Sequence, residues 1–218
     1  MTTLPVAPAF RVFAAPATWR PAQALERAVA LVLFSLALPV LSLAAAIVWI
    51  LSGRPPFIAH RRLGFGGSIL WVLKLRTMWT GRVRAPFQLV ERLKTSPARI
   101  RKNRFDPRVT SRFAAFCRRY SIDELPQLLQ VARGELALVG PRPITAIEFD
   151  VHYAEAAPEI LCVMPGITGL WQIKGRSRLD YSQRRRLDLF LVRKLSPYLY
   201  AYILLQTPLR VLTGRGAW

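Results

Sequence analysis

"AVALVLFSLALPVLSLAAAIVWIL", residues 28–51, decides the architecture, because no other stretch of the chain is so long, so apolar and so free of charge. It is long enough for a helix that crosses a bilayer. A cleaved signal peptide fits it poorly, since the run starts late, is too long, and meets no small-residue cleavage site before "SGRPPF" at 52–57. Two details argue against simple crossing. Pro39 stands at mid-run, where it removes a backbone hydrogen bond and crowds the preceding turn. Arg20 and Arg27 precede the run and Arg54, Arg61 and Arg62 follow it, so both ends ask for the cytoplasmic side. A helix-break-helix that enters and leaves by one face satisfies both demands. An ordinary spanning helix with a Pro kink is the equal alternative, since kinked spanning helices are well tolerated.

The composition agrees with a surface-held protein. The 218 residues carry 32 Lys and Arg against 12 Asp and Glu, a net charge of +20, yet the mean hydropathy is +0.24. Nucleic-acid binders are seldom so apolar, and ordinary membrane spanners are seldom so basic. Both properties together suit an anionic membrane surface and anionic ligands. Cys117 and Cys162 have no CxxC partner or nearby His pair, which argues against a disulfide framework or a zinc site and makes a reducing compartment the default. The length allows one core with an appended segment.

Outward from the apolar run, residues 1–20 read as a loosely ordered arm rich in Ala and Pro. Gly64, Gly66 and Gly67 predict a turn, and Ile69–Leu75 a strand. Residues 80–107 read as a long exposed loop, Leu125–Arg133 as a short helix stopped by Gly134, and "ELALVG" as a strand ending at "PRP". Thr145–Ala156 predicts a helix, "GITGLWQI" a strand, and Tyr181–Leu212 two or three helices divided at Pro197 and Pro208. In that last region apolar residues interleave with Arg and Lys, as in amphipathic helices lying at a membrane surface, or in a buried helix pair.

The chemistry concentrates in "SIDELPQLLQ", residues 121–130, where Asp123 and Glu124 follow a stretch that holds many cations and a single acid, Asp106. Pro126 places the start of a helix close behind them. Ser121 and Glu124 match a capping box, which would make the pair structural. The neighbouring arginines suggest more. They would keep a carboxylate ionised and could hold phosphate oxygens. An ionised Asp beside a held phosphoryl group is a candidate nucleophile, and an adjacent Glu could hold Mg²⁺.

"KLRTM", "DPRVT", "SIDELPQLLQVARGELALVGPRP", "PGITGLWQIKGRS" and "LDLFLVRKLS" occur in this order. This series resembles the bacterial sugar transferases, the monotopic polyprenyl-phosphate phosphoglycosyl transferases, over residues 24–216 including the closing "GRGA", and in their small catalytic-core form. The resemblance implies an α/β monotopic membrane protein. It would have a flexible arm over 1–20, a re-entrant membrane helix over 21–53, and a cytoplasmic catalytic domain with interfacial amphipathic helices over 54–218. It implies residence at the cytoplasmic face of a bacterial inner membrane. The implied reaction is transfer of a phosphosugar from a UDP-sugar to polyprenyl phosphate, with release of UMP, through a phosphosugar carried on an Asp.

By position Asp123 would be the nucleophile and Glu124 its partner and the Mg²⁺ ligand. Lys74, Arg118 and Arg142 match phosphate-binding positions. Arg76, Arg108, Pro141, Pro143, Gly166, Thr168, Gln172 and Arg176 complete the candidate substrate set. The implied partners are the UDP-sugar, polyprenyl phosphate and anionic lipids, with no nucleic acid and with homo-oligomerisation open. The chain departs from the family pattern at Leu38-Pro39 (usually Ser-Pro), Ala114 (often Gly), Gln130 (usually Asn), "GELA" (usually "GDMS") and Met164 (commonly Arg). A catalytically silent basic membrane adaptor is the alternative, and the intact Asp-Glu pair, Lys74 and Arg142 weigh against it. A nucleic-acid binder would need a helix-turn-helix, an RNP-type strand or zinc ligands, which the sequence lacks.

Overall fold

The computed structural model of the chain describes residues 20–79, 81–82, 88–93, 109 and 111–214. The N-terminal arm up to residue 19, Arg108, most of the loop expected over 80–107 and the end of "GRGA" lie outside the described residues.

The apolar run forms α1 (Arg20–Ser52), a continuous helix with Pro39 inside it. Its 33 residues give a length of about 50 Å, more than a bilayer core of about 30 Å. Ala30, Leu41, Ala44, Val48 and Ser52 recur at roughly helical spacing and are buried, whereas Leu36 and Leu43 are 71% and 65% exposed. One stripe thus packs on the body and most of the rest is exposed and apolar. Both ends of the helix touch that body. Leu41, Ala44 and Val48 pack with Leu75, Trp79, Ala114 and Cys117. Ala30 packs with Leu70, Val72, Val131, Leu136 and Leu138. Near the N-terminal end, Glu26 Oε1 accepts from the Leu138 amide and from the Tyr200 hydroxyl, each at 2.5 Å.

The body is a mixed helix-and-sheet unit with two small sheets. β1 (Phe57–Leu63) and β2 (Ile69–Leu75) form an antiparallel hairpin with Phe57 opposite Leu75 and Leu63 opposite Ile69. Its turn requires left-handed backbone at Gly66 and Gly67, with φ of 63° and 77°. β3 (Val90–Leu93) joins β1 in parallel, giving the order β2-β1-β3. This strand corrects the expectation that residues 80–107 are loop throughout. β2 is an edge strand, and Gln130 satisfies its free backbone: Oε1 accepts from the Leu73 amide at 2.7 Å and Nε2 donates to the Trp71 carbonyl at 2.8 Å. The second sheet pairs β4 (Ala137–Val139) in parallel with β5 (Gly166–Thr168).

Helices α2 (Arg112–Arg119), α3 (Gln127–Ala132), α4 (Ala146–Glu148), α5 (Ala157–Leu161), α6 (Leu170–Lys174), α7 (Tyr181–Lys194) and α8 (Pro197–Thr213) surround the sheets. The helix expected over Thr145–Ala156 begins with a real capping box between Thr145 and Glu148, then widens into a π-helical turn over Phe149–Tyr153. Two expectations are corrected. "GITGLWQI" is strand only to Thr168, because the amides of Gln172 and Ile173 return to the Gly169 carbonyl and wind the rest into α6. Pro208 does not divide the last region. It sits inside α8, which starts instead at Pro197 behind the Ser196 cap. Tyr198, Tyr202, Leu205, Leu209 and Leu212 are exposed along α8 at alternating spacings of four and three. That is one apolar face turned away from the protein.

Candidate active site

Ser111 caps α2 by accepting from the Phe113 amide at 3.2 Å, and the helix runs down to Tyr120. The chain then turns at Ser121, whose φ is 55°. Of the described residues only Ser121 and Arg176 are non-glycine with positive φ. A short 3₁₀ turn, Ile122–Glu124, follows and hands over through Pro126 to α3. The capping box expected between Ser121 and Glu124 does not form. The left-handed turn leaves the Ser121 side chain without a capping bond, and its Oγ accepts from Arg176 Nη2 at 3.2 Å. Glu124 is spent elsewhere. Its Oε1 accepts from Lys74 Nζ at 2.7 Å and from Arg142 Nη1 at 3.5 Å.

The two acids therefore sit in different electrostatic states. Burial alone would raise the Glu124 pKa, but Lys74 and Arg142 outweigh it and hold the carboxyl well below the usual range. Asp123 goes the other way. Its burial, reinforced by the negative charge of Glu124, raises it, and Lys74, Arg118 and Arg142 offset this only in part. The neighbouring cations outweigh burial at Glu124 but offset it only partly at Asp123, where desolvation is the larger effect. The positive field is felt further out. His60 is lowered to about 4 by burial and by Arg62, Lys74, Arg76 and Arg142. Cys117 is raised to about 11 by burial and by Asp123.

Arg142 is presented by the "PRP" segment, with Pro141 and Pro143 both buried. β4 and β5 come so close at Gly140 and Gly166 that a Cβ on either would collide with the other strand's backbone. The Gly166 amide donates to the Pro141 carbonyl and the Gly140 amide to the Thr168 carbonyl, both at 2.9 Å. Gly166, Pro141 and Pro143 thus act by fixing the path of Arg142. Its guanidinium also lies 5.8 Å from the centre of the Trp171 ring, which Arg184 covers from 4.9 Å.

The remaining predicted residues divide. Arg118, the last residue but one of α2, contributes positive charge at Asp123. Arg76 is not brought in: it is buried, pairs with Glu91, and donates Nε to the Pro55 carbonyl at 2.8 Å. Thr168, Gln172 and Arg176 line a cavity of about 180 Å³ that reaches Glu124. Thr168 Oγ1 meets Thr207 Oγ1 at 2.9 Å, and Gln172 Nε2 donates to the Ile167 carbonyl at 2.9 Å. Sequence reading missed Arg210 of α8, which lines the same cavity. It was absorbed into an expected membrane-surface helix, and only its single charge among apolar neighbours marked it. It also missed Arg62, which pairs with Glu148 at 3.1 Å. The Thr145-x-x-Glu148 pattern was its readable signal.

A magnesium ion suits this donor set on chemical grounds. Mg²⁺ takes one or two carboxylates and completes its octahedron with water and phosphate oxygens, so it needs no all-protein cage. Among the described residues no group of three or more His, Cys, Asp and Glu forms such a cage. Asp123 and Glu124 are the pair available, and both cations that reach Glu124 bind the same oxygen, Oε1.

The chain is 38% identical over 200 residues to the exopolysaccharide production protein ExoY of Rhizobium meliloti, covering 89% of this chain and 85% of that protein. It is 34% identical over 169 residues to the undecaprenyl-phosphate galactose phosphotransferase of Salmonella typhimurium, over 76% of this chain but 35% of that longer protein. It is 38% identical over 154 residues to the UDP-glucose:undecaprenyl-phosphate glucose-1-phosphate transferase of Caulobacter vibrioides, over 69% of this chain and 52% of that one. The sequence pattern described as bacterial sugar transferase matches residues 19–214, which contain every element of the fold from the start of α1 to the end of α8, and the chain belongs to that family.

Proposed function

We propose that the protein is a polyprenyl-phosphate sugar-1-phosphate transferase. It moves a phosphosugar from a UDP-sugar to undecaprenyl phosphate, releases UMP, and so starts assembly of a glycan such as an exopolysaccharide. The observation that carries the reading is the unequal acid pair. Lys74 and Arg142 neutralise Glu124, while Asp123, one residue away, is desolvated within the same positive field. Desolvation strips water from the nucleophile, and Lys74, Arg118 and Arg142 favour its ionised form. In the first step an Asp123 oxygen bonds to the β-phosphorus, the bond to the bridging oxygen breaks, and its electron pair leaves on UMP. In the second, an oxygen of the lipid phosphate bonds to the same phosphorus and the electron pair of the broken bond returns to the Asp123 carboxylate. Arg142 and Lys74 would steady phosphate oxygens in both steps. Mg²⁺, held by Glu124 with Asp123 nearby, would offset the charge of the phosphates.

Two observations support a cytoplasmic-face, re-entrant placement of α1. Its inward stripe touches the body near both ends, at Glu26 and Ala30 and again at Leu41–Val48. Between these contacts Leu36 and Leu38 are exposed. A straight spanning helix would carry one of its ends away from a body confined to one side. Labelling a cysteine introduced at Thr3 from the periplasmic side tests this, and strong labelling would refute re-entry.

The reaction is tested by incubating the full chain in detergent with Mg²⁺ and radiolabelled UDP-glucose or UDP-galactose, without lipid acceptor. UMP and a phosphosugar adduct on Asp123 are expected. Release of UDP in place of UMP would make it an ordinary glycosyl transfer and overturn the mechanism.

A further inference from the structure

The cavity beside Glu124 has a mixed lining. Leu125, Leu128, Ile167 and Val211 give it apolar lining, and Arg176 and Arg210 supply cations. Arg176 is held in place by strained backbone, at φ 50°, and by its bond from Nη2 to Ser121, itself at φ 55°. Such paired strain persists only where surrounding structure enforces it. Its other terminal nitrogen, Nη1, is buried and takes no hydrogen-bond partner in the protein. An unpartnered buried guanidinium nitrogen is costly, and it waits for an acceptor.

Size and position restrict the occupant. At about 180 Å³ the cavity is smaller than the roughly 300–1,000 Å³ that encloses a drug-sized ligand, so a whole nucleotide sugar does not fit inside it. Its far wall is α8, through Thr207, Arg210 and Val211, and the opposite face of that helix is the exposed stripe of Tyr198, Tyr202, Leu205, Leu209 and Leu212. The cavity therefore lies between the catalytic acids and the side of the molecule that suits lipid.

We propose that this cavity seats the lipid acceptor, the phosphate of a polyprenyl monophosphate on Arg176 and Arg210 and its first isoprene carbons on Leu125, Leu128, Ile167 and Val211. The inference rests on the two-step reading above and assigns the second step a place of its own. The lipid phosphate approaches Asp123 past Glu124, while the UDP-sugar is held from the side of Lys74, Arg118 and Arg142. Arg210 becomes a binding residue for the acceptor. The charge-assisted contacts supply affinity, and the apolar lining discriminates a lipid phosphate from a free one.

Binding and turnover separate this proposal from the reading beneath it. Native mass spectrometry of the full chain in detergent micelles would measure undecaprenyl phosphate, undecaprenol, inorganic phosphate and UMP in turn. Undecaprenyl phosphate should bind, and Arg210→Gln and Arg176→Gln should each weaken it about tenfold, as for one charge-assisted contact. Because Arg210 is exposed, Arg210→Gln should fold, and Val211→Trp, which fills the cavity, should mimic it without altering charge. In kinetics, the KM for undecaprenyl phosphate should rise about tenfold in Arg210→Gln, with adduct formation from the UDP-sugar slowed less than twofold. Equal losses in both half-reactions, or displacement of the lipid phosphate from the cavity by UMP, would overturn the proposal. Binding of undecaprenol as tight as that of its phosphate would also overturn it. If undecaprenyl phosphate binds with this pattern but no adduct forms on Asp123, the cavity assignment stands and the covalent mechanism fails.

Discussion

The turn that carries Asp123 and the underside of the "PRP" segment that carries Asp188 are both places where a carboxyl group is taken out of water. Asp188, on α7, is fully buried, and burial pushes it up to about 8. The Tyr153 hydroxyl, which donates to Oδ2 at 3.3 Å, and the backbone and charge of Arg142 pull it back only part way. At neutral pH it is mostly protonated, a neutral polar group supporting the segment above it. Asp123 starts from the same desolvation but faces Lys74, Arg118 and Arg142 together, so it is raised less far and stays within reach of ionisation. Burial makes an acid quiet, and converging cations keep it usable. Arg142 acts on both acids, and Lys74 and Arg118 add their charge at Asp123.

The most severe way to break this comparison is Asp123→Asn. It should abolish UMP release and the adduct together, by at least about 10⁴-fold, while the melting temperature in detergent changes little. Full activity would return Asp123 to the same class as Asp188. Next, Glu124→Gln should reduce turnover by about 10²-fold and raise the Mg²⁺ concentration needed for half-maximal rate, since Lys74 and Arg142 lose the charge that positions them. A Mg²⁺ requirement that did not move would remove Glu124 from the metal. Third, Arg142→Lys keeps the charge but not the planar fork, and should cost about tenfold to a hundredfold in kcat. Near-normal turnover would mean that Arg142 serves the fold and not the phosphate.

The mildest test sharpens the other half. The folded pKa of Asp188 lies above its unfolded value, so the folded state holds the extra proton across the window from about 4 to about 8. Stability from this group is present at low pH and is lost as pH rises through that window. Asp188→Asn mimics the protonated acid, so its thermal stability should fall less than the wild type's between pH 5 and pH 8. Turnover at pH 7 should stay within a few-fold. Parallel pH–stability curves for the two proteins would show that Asp188 is not the proton-binding group.

Sequence reading found what local chemistry dictates. The length of the apolar run gave α1, the glycines at 64–67 gave the hairpin turn, and Gly134 gave the end of α3, where φ is 75°. It found the acid pair, Lys74 and Arg142 through the motif series. It missed what only distant partners decide. β1 contains "HRR", too polar to read as a strand, yet it is the central strand between β2 and β3. β3 has four residues and owes its existence to pairing with Phe57–His60. The capping box at Ser121 was a sound local pattern defeated by non-local bonds, because Arg176 took the serine and Lys74 and Arg142 took the glutamate. Gln130, noted only as a departure from Asn, turns out to close the backbone of β2 from 57 and 59 residues away.

The bond between Glu26 and Tyr200 spans 174 residues, and the one between Glu26 and Leu138 spans 112. Chains leave the ribosome in order at about 5–20 residues per second, so α1, which ends at Ser52, is complete roughly 7–30 s before Tyr200 exists. Throughout that interval α1 lacks its anchor on α8, and for more than the first half of it also the anchor on β4. Its insertion must be decided by what it carries itself: Pro39, the arginines at its start and the ones that follow it. A substitution at Tyr200 would therefore leave the insertion decision untouched and loosen only the finished molecule, whereas an error at Pro39 would be committed to the membrane before any of the catalytic residues had been made.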